Sequence, residues 1–241
     1  MDLKKNNFKE LKDPEEINNF LIKLSENPSN EDLKFLKYFI DNLDALIFEK
    51  IKLNLVFLLG EIGKSTSLED TYLTFLLETY YTSDRWIRNE IIQAIEKIST
   101  RTEITENVIE LIGYAVNDDY SPIRVNAIKT LFGLRKFPLF VRRNVFEALN
   151  SKDSELEEFC VKIFEKFLPD FNQLFNSLNY SENYKILKSK AIMAILMVYF
   201  KSPLNIESFR ELISASDWED DYKQIYLKEI DTYEKILLRR L

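Results

Sequence analysis

The chain of 241 residues contains no histidine. That absence removes imidazole general bases, Ser-His and Cys-His nucleophilic pairs, and the usual nitrogen ligands of zinc and non-haem iron. Carboxylates, lysines, tyrosines and hydroxyls are what remain for any chemistry. Cysteine is reduced to one residue, Cys160, which excludes an intrachain disulfide and a cysteine-based metal centre and fits a reducing compartment. Four Gly and six Pro are few for a protein made of sheets and turns, so helices joined by short polar connections are expected. Long apolar runs are missing too. The longest, Ala191 to Phe200, is ten residues between Lys190 and Lys201, whereas a membrane span needs roughly 20. Met1 to Lys12 is charged and has no secretory apolar stretch. The expectation is a cytoplasmic protein that does not enter a membrane.

What the chain does have is a 46% hydrophobic and 30% charged composition, enough for a core and a solvated surface. Its apolar residues recur. Ile51, Leu55, Leu59 and Ile62 follow the spacing i, i+4, i+8, i+11, which places four side chains on one stripe of a helix. The stripe returns as Ile87, Ile91, Ile95, Ile98; as Ile123, Ala127, Leu131, Leu134; as Leu156, Cys160, Phe164, Phe167; as Leu187, Ala191, Ile195, Val198; and as Tyr222, Tyr226, Ile230, Tyr233. Its starting positions step by 36, 36, 33, 31 and 35 residues. A second amphipathic segment precedes each stripe, at roughly 31–43, 68–82, 103–117, 137–150, 169–179 and 204–215. A further helix at about 14–26 is placed to cap the array. Pro14, Pro28, Pro122, Pro138, Pro169 and Pro203 all fall at boundaries drawn this way, where helices tolerate proline. Asp13-Pro14-Glu15-Glu16 reads as an N-cap, a Pro at the first helical position and a capping-box Glu. Ser121-Pro122 reads as an N-cap and first residue.

The expected fold class is therefore all-α: an α-solenoid (armadillo-like superhelix) of about six antiparallel helix pairs forming a single domain over 1–241. A capping helix occupies 1–28, and the pairs lie at about 29–64, 65–100, 101–136, 137–168, 169–201 and 202–241.

Asp84-Arg85-Trp86-Ile87-Arg88 running into Ala94-Ile95 resembles the HEAT-repeat family, in its short PBS-lyase HEAT-like form. So does Asp118-Asp119 running through Pro122-Ile123-Arg124-Val125-Asn126-Ala127. Leu58-Leu59-Gly60-Glu61-Ile62-Gly63 looks like the family's usual end of a second helix. Later pairs keep the stripe but depart from the motif, with Glu157 and Lys188 where Arg88 and Arg124 stand. The resemblance implies that Asp84 with Arg88, and Asp119 with Arg124, tie neighbouring turns and repeats together. It also implies that the second helix of each pair lines a concave side.

Other motifs reduce to helix grammar. Gly63-Lys64-Ser65 copies the end of a P-loop, but Leu58 stands where that loop needs glycine and a helix precedes it; it reads as a helix end. Asp217, Glu219, Asp220 and Asp221 sit at the start of the last helix, where the dipole favours negative charge. Cys160 lies in a stripe and is expected to be buried and inert. No catalytic, cofactor-binding or metal-binding residue is nominated, and no cofactor is expected.

A partner would meet the side of the second helices opposite the stripe. Six residues after each stripe start, that side presents Phe57, Gln93, Lys129, Lys162, Met193 and Lys228; ten residues after, Glu61, Lys97, Gly133, Lys166, Met197 and Thr232. Leu53 and Phe132 point the same way. From these, Phe57, Lys129, Lys162, Lys166, Met193 and Met197 are the partner-binding candidates. Met193, Met197, Ile186 and Leu196 make the fifth second helix apolar nearly all round, so it is either covered by neighbouring second helices or the C-terminal segment, or left open for a partner as an adaptable surface. Charge is uneven: 1–119 is net −9, 120–150 net +5 and 151–241 net −3.

The reading that follows is a non-enzymatic scaffold or adaptor that binds another protein or peptide. The alternative is a nucleic-acid-binding protein related to HEAT-like alkylpurine DNA glycosylases. The basic block and Trp86 favour the alternative, and an overall pI near 5.0 opposes it. Bilin-lyase activity would follow from the family label alone, and deoxyhypusine hydroxylase chemistry needs histidines that are absent.

Overall fold

The computed structural model describes residues 7–201 and 203–239. The first six residues of the expected capping segment lie outside the described residues. Among those described, the chain forms thirteen α-helices and no strand. They are α1 Pro14–Ser25, α2 Leu33–Asn42, α3 Ala45–Gly63, α4 Asp70–Tyr81, α5 Arg85–Ser99, α6 Glu106–Ala115, α7 Ser121–Gly133, α8 Leu139–Leu149, α9 Ser154–Phe167, α10 Phe171–Asn179, α11 Ser189–Tyr199, α12 Pro203–Ala215 and α13 Asp220–Leu238. The fold class is all-α and solenoid-like: within each of two units, neighbouring helices pack as pairs, and the second helices of successive pairs pack on one another.

The units are Met1–Ile112 and Gly113–Leu241, with the border inside α6. In the first unit α3 packs against α1, α2 and α5, and α4 packs against α5. In the second, α9 packs against α7, α8 and α11, while α13 packs against α11 and α12. The first unit carries 14 basic and 21 acidic residues, so the whole net charge of −7 resides there; the second carries 19 of each.

Every residue of the six stripes is buried except Ile87, Phe167, Val198 and Tyr222, which are half-buried. Taking each fully buried Leu, Ile or Phe among them from water is worth about 1.5–3 kcal/mol, which is why a 3.6-residue apolar period outweighs weak local propensities here. Short acidic side chains start the helices. Asp13, Asp44, Asp84 and Asp153 each accept the backbone N–H groups of the second and third helical residues of α1, α3, α5 and α9, satisfying donors that the helix leaves open.

The structure corrects one expectation. Ser121 is the first residue of α7 rather than its N-cap, a place taken by Tyr120. The Ser121 hydroxyl instead donates to Asp153 Oδ2 at 2.8 Å, one repeat away. Gly63 ends α3, as its sequence context suggests, and has no positive φ. A Cβ there would lie 2.4 Å from Ile98 Cγ1, so the glycine is a point of close helix approach. The positive φ values that do occur belong to Ser181 and Glu182, in the 3₁₀ segment Tyr180–Lys185 after α10.

Candidate interaction face

In the first unit α1, α3 and α5 stack in register. The rungs are polar and span one repeat. Asn54 Nδ2 donates to Asn18 Oδ1 at 2.7 Å, and Asn18 Nδ2 donates to the Lys50 carbonyl at 3.1 Å. Lys97 Nζ pairs with Glu61 at 2.9 Å, and Thr100 Oγ1 donates to the Lys64 carbonyl at 3.4 Å. Three of these bonds join residues 36 apart, so the step read from the apolar stripes is also the step of the polar ladder. Helices α3 and α5 also approach closely at Gly60, where a Cβ would lie 2.9 Å from Ala94 Cα.

This registration fixes what the stack shows to solvent. Leu53 is 44% exposed and Phe57 37%, with Ile22 of α1 at 51% and Trp86 of α5 at 58%. Large apolar side chains carried by packed helices cannot retreat into the core, whose positions are taken by the stripes. The Lys97 ammonium lies 5.0 Å from the centroid of the Phe57 ring and within 3.9 Å of Glu90 as well as pairing with Glu61. Burial pushes the Glu90 carboxyl above its ordinary range; Lys97 opposes the shift and Glu61 adds to it. One Glu90 oxygen is buried with no hydrogen-bond donor among the described residues.

That direction sets the sign of a stability effect. A carboxyl raised on folding penalises the folded state wherever it is ionised there and unpenalised in the unfolded chain. The penalty is full above the raised pKa and disappears as the pH falls to the ordinary value. Glu90→Gln is therefore expected to be more stable than the parent at neutral pH. The gap should close as the pH falls through that window, as thermal midpoints of both proteins between about pH 4 and 7 would show. A gap that stays constant would mean burial of Glu90 carries no such penalty.

The second unit treats the expected lysine row differently. Lys129 pairs with Glu155 at 2.6 Å and lies over the Phe159 ring at 5.3 Å. Lys162 pairs with Glu158 at 2.6 Å and lies over the same ring at 4.7 Å. Lys166 donates to the carbonyls of Phe132 at 2.5 Å and Leu134 at 3.0 Å, satisfying acceptors left open at the C-terminus of α7. The three lysines thus have internal partners, two of them in the preceding or following repeat. Met193 is half-buried and Met197 is 54% exposed. Of the other apolar residues off the fifth stripe, Leu196 is fully buried and Ile186 half-buried.

The family-like acidic and basic residues act in the ladder. Arg124 donates to the carbonyls of Asp118 and Asp119 at 3.0 and 3.1 Å. It also reaches the carboxylate of Asp153, one repeat on, at 3.7 Å. Asp153 is held below the usual carboxylate range by Ser121, by the backbone N–H groups of Leu156 and Glu155, and by Arg124. Where the motif is lost, Glu157 pairs with Lys190 of the next repeat. Asp84 caps its own helix, and the Arg88 guanidinium lies 5.9 Å from the Tyr80 ring centroid.

Ile22 is the member of this face that the sequence pattern does not single out. Its signal is an apolar residue lying off the buried α1 stripe of Ile17, Leu21 and Leu24. Cys160 is fully buried, and burial pushes its thiol far up. Among the described residues no cluster of three or more His, Cys, Asp or Glu is placed to hold a metal ion, and no helix is long and apolar enough to cross a membrane.

No family model and no curated protein matches the sequence. Two crystal structures described as engineered proteins from a structural genomics consortium are similar to the chain at 13% identity. One covers 84% of this chain and 97% of its own length with a TM-score of 0.46. The other covers 83% of this chain and 58% of its own length with a TM-score of 0.47.

Proposed function

We propose that the chain is a non-enzymatic, HEAT-like scaffold that binds another protein or peptide. Its principal surface is the outward face of α1, α3 and α5. The observation carrying this reading is that Ile22, Leu53, Phe57 and Trp86 remain exposed on a face whose register is fixed by polar rungs. Pre-ordered apolar and aromatic side chains are what a binding hot spot requires, because little entropy is lost on docking. The expected row in the second unit contributes through Met193 and Met197 more than through Lys129, Lys162 and Lys166, whose charges are used internally.

Leu53→Ala with Phe57→Ala tests the surface. Both side chains are substantially exposed, so stability should change little. Binding of a partner recovered from cell extract should weaken by about 2 kcal/mol or more, roughly 30-fold. Recovery equal to that of the parent would remove this face from the proposal. The nucleic-acid alternative loses much of its charge to internal pairing: Arg124, Lys129 and Arg143 face Asp153, Glu155 and Glu147. No shift of duplex DNA at low salt is expected.

A further inference from the structure

A cleft of about 410 Å³ opens in the second unit where α9 and α11 end and α10 begins. The sequence builds it in three steps. Pro169 stops α9 from continuing, and Asp170 opens α10 by accepting the Gln173 N–H at 2.9 Å. Tyr199, the last residue of α11, donates its hydroxyl to the Leu168 carbonyl at 2.7 Å, which ties the two helix ends together. Pro169, Phe171, Val198 and Tyr199 give the cleft apolar and aromatic lining, with the Phe171 ring held 5.8 Å from Phe200. Asn205 of α12 and two carboxylates, Glu165 and Asp170, supply the polar lining.

Neither carboxylate has a cationic partner among the described residues. Lys166, next to Glu165, is turned away to the carbonyls of Phe132 and Leu134. The field of both carboxylates reaches the Tyr199 phenol: burial raises it first, and Glu165 and then Asp170 raise it further. Among the described residues no third carboxylate joins these two to make a metal-holding group. An organic cation, by contrast, gains from charge, from aromatic faces and from apolar walls at once. The volume lies within the range of small-ligand sites.

We propose that this cleft binds an ammonium or guanidinium group on an aliphatic stem, with the cation between Glu165 and Asp170 and the stem against Phe171, Val198 and Tyr199. The proposal does not rest on the binding function proposed above, and its test does not depend on that reading. The cation would be supplied either by a free alkylamine or by a lysine or arginine side chain.

Calorimetric titration of the full chain would use 1,5-diaminopentane, Nα-acetyl-lysine methylamide and Nα-acetyl-arginine methylamide, with 1-hexanol as the uncharged control. Saturable binding of at least one cation, and none of hexanol, is expected. Tighter binding of the diamine would assign the site to free amines, and tighter binding of an amino-acid derivative would assign it to a protein side chain. Glu165→Gln with Asp170→Asn should weaken binding at least tenfold while leaving the circular dichroism spectrum unchanged, because Asn caps a helix as well as Asp does. If the double variant does not fold, Glu165→Gln alone serves, since Glu165 is exposed. Failure of all three cations to saturate up to about 1 mM would overturn the proposal. So would equal binding of hexanol, or parental affinity in the folded variant.

Discussion

Trp218→Ala is expected to destabilise the protein by about 3–5 kcal/mol, the cost of emptying a large buried aromatic site. Trp218 is 5% exposed and stands just before α13. Its ring stacks on Tyr184 at 4.5 Å with 8° between planes, and on Phe175 at 5.5 Å with 21°. Tyr226 meets it edge-on at 4.9 Å, and its indole N–H donates to Asn179. Three segments of the last two pairs, α10, the 3₁₀ segment and α13, therefore converge on one side chain. Trp218→Phe keeps an aromatic face and removes the N–H. Asn179 is exposed and can turn to water, so that variant should lose far less, about 1–2 kcal/mol. Urea midpoints followed by far-ultraviolet circular dichroism separate the two. An alanine variant as stable as the phenylalanine one would show that the stack contributes little.

Gly60→Leu is expected to cost about 3 kcal/mol. Even a Cβ at this position would lie 2.9 Å from Ala94 Cα and 3.0 Å from Ala94 Cβ. The nearest obstacle is backbone, so the side chain cannot be accommodated by a rotamer change and α3 must move from α5. Gly60→Ala should cost less, because about 1 kcal/mol of helix propensity offsets the clash. Combining it with Ala94→Gly should recover part of the loss, a coupling that a double-mutant cycle measures. Gly133 is the contrast. A Cβ there would meet nothing within 4 Å, so Gly133→Ala should stabilise by up to about 1 kcal/mol. Equal effects at Gly60 and Gly133 would contradict close packing of α3 on α5.

The stripes are legible because burial on one side of a helix leaves a 3.6-residue trace in the sequence. Each stripe position can be judged within its own helix. The polar ladder cannot. Lys166 looks like an outward charge when only α9 is considered, yet its ammonium reaches carbonyls 32 and 34 residues earlier. Ser121 looks like an N-cap for the same reason, and its hydroxyl goes to a carboxylate 32 residues later. Phe57 and Met197 do stand on the outside, because nothing one repeat away covers them fully. Ile22 escapes the pattern because α1 has no preceding stripe with which to compare it. The cleft at Glu165 and Asp170 leaves no trace, since it arises where three helix ends meet and not along any one face.

The ladder bonds also bear on how the chain acquires its shape. Asn18 with Asn54, Lys64 with Thr100, Ser121 with Asp153, Leu168 with Tyr199 and Phe200 with Tyr233 are separated by 36, 36, 32, 31 and 33 residues. Loop-closure entropy varies only with the logarithm of such lengths, so each closure meets nearly the same entropic toll. During synthesis, a newly emerged helix would find the partner for its rung only a few dozen residues behind it, already made. Growth by accretion, without a search across the whole polypeptide, is the assembly route this spacing favours.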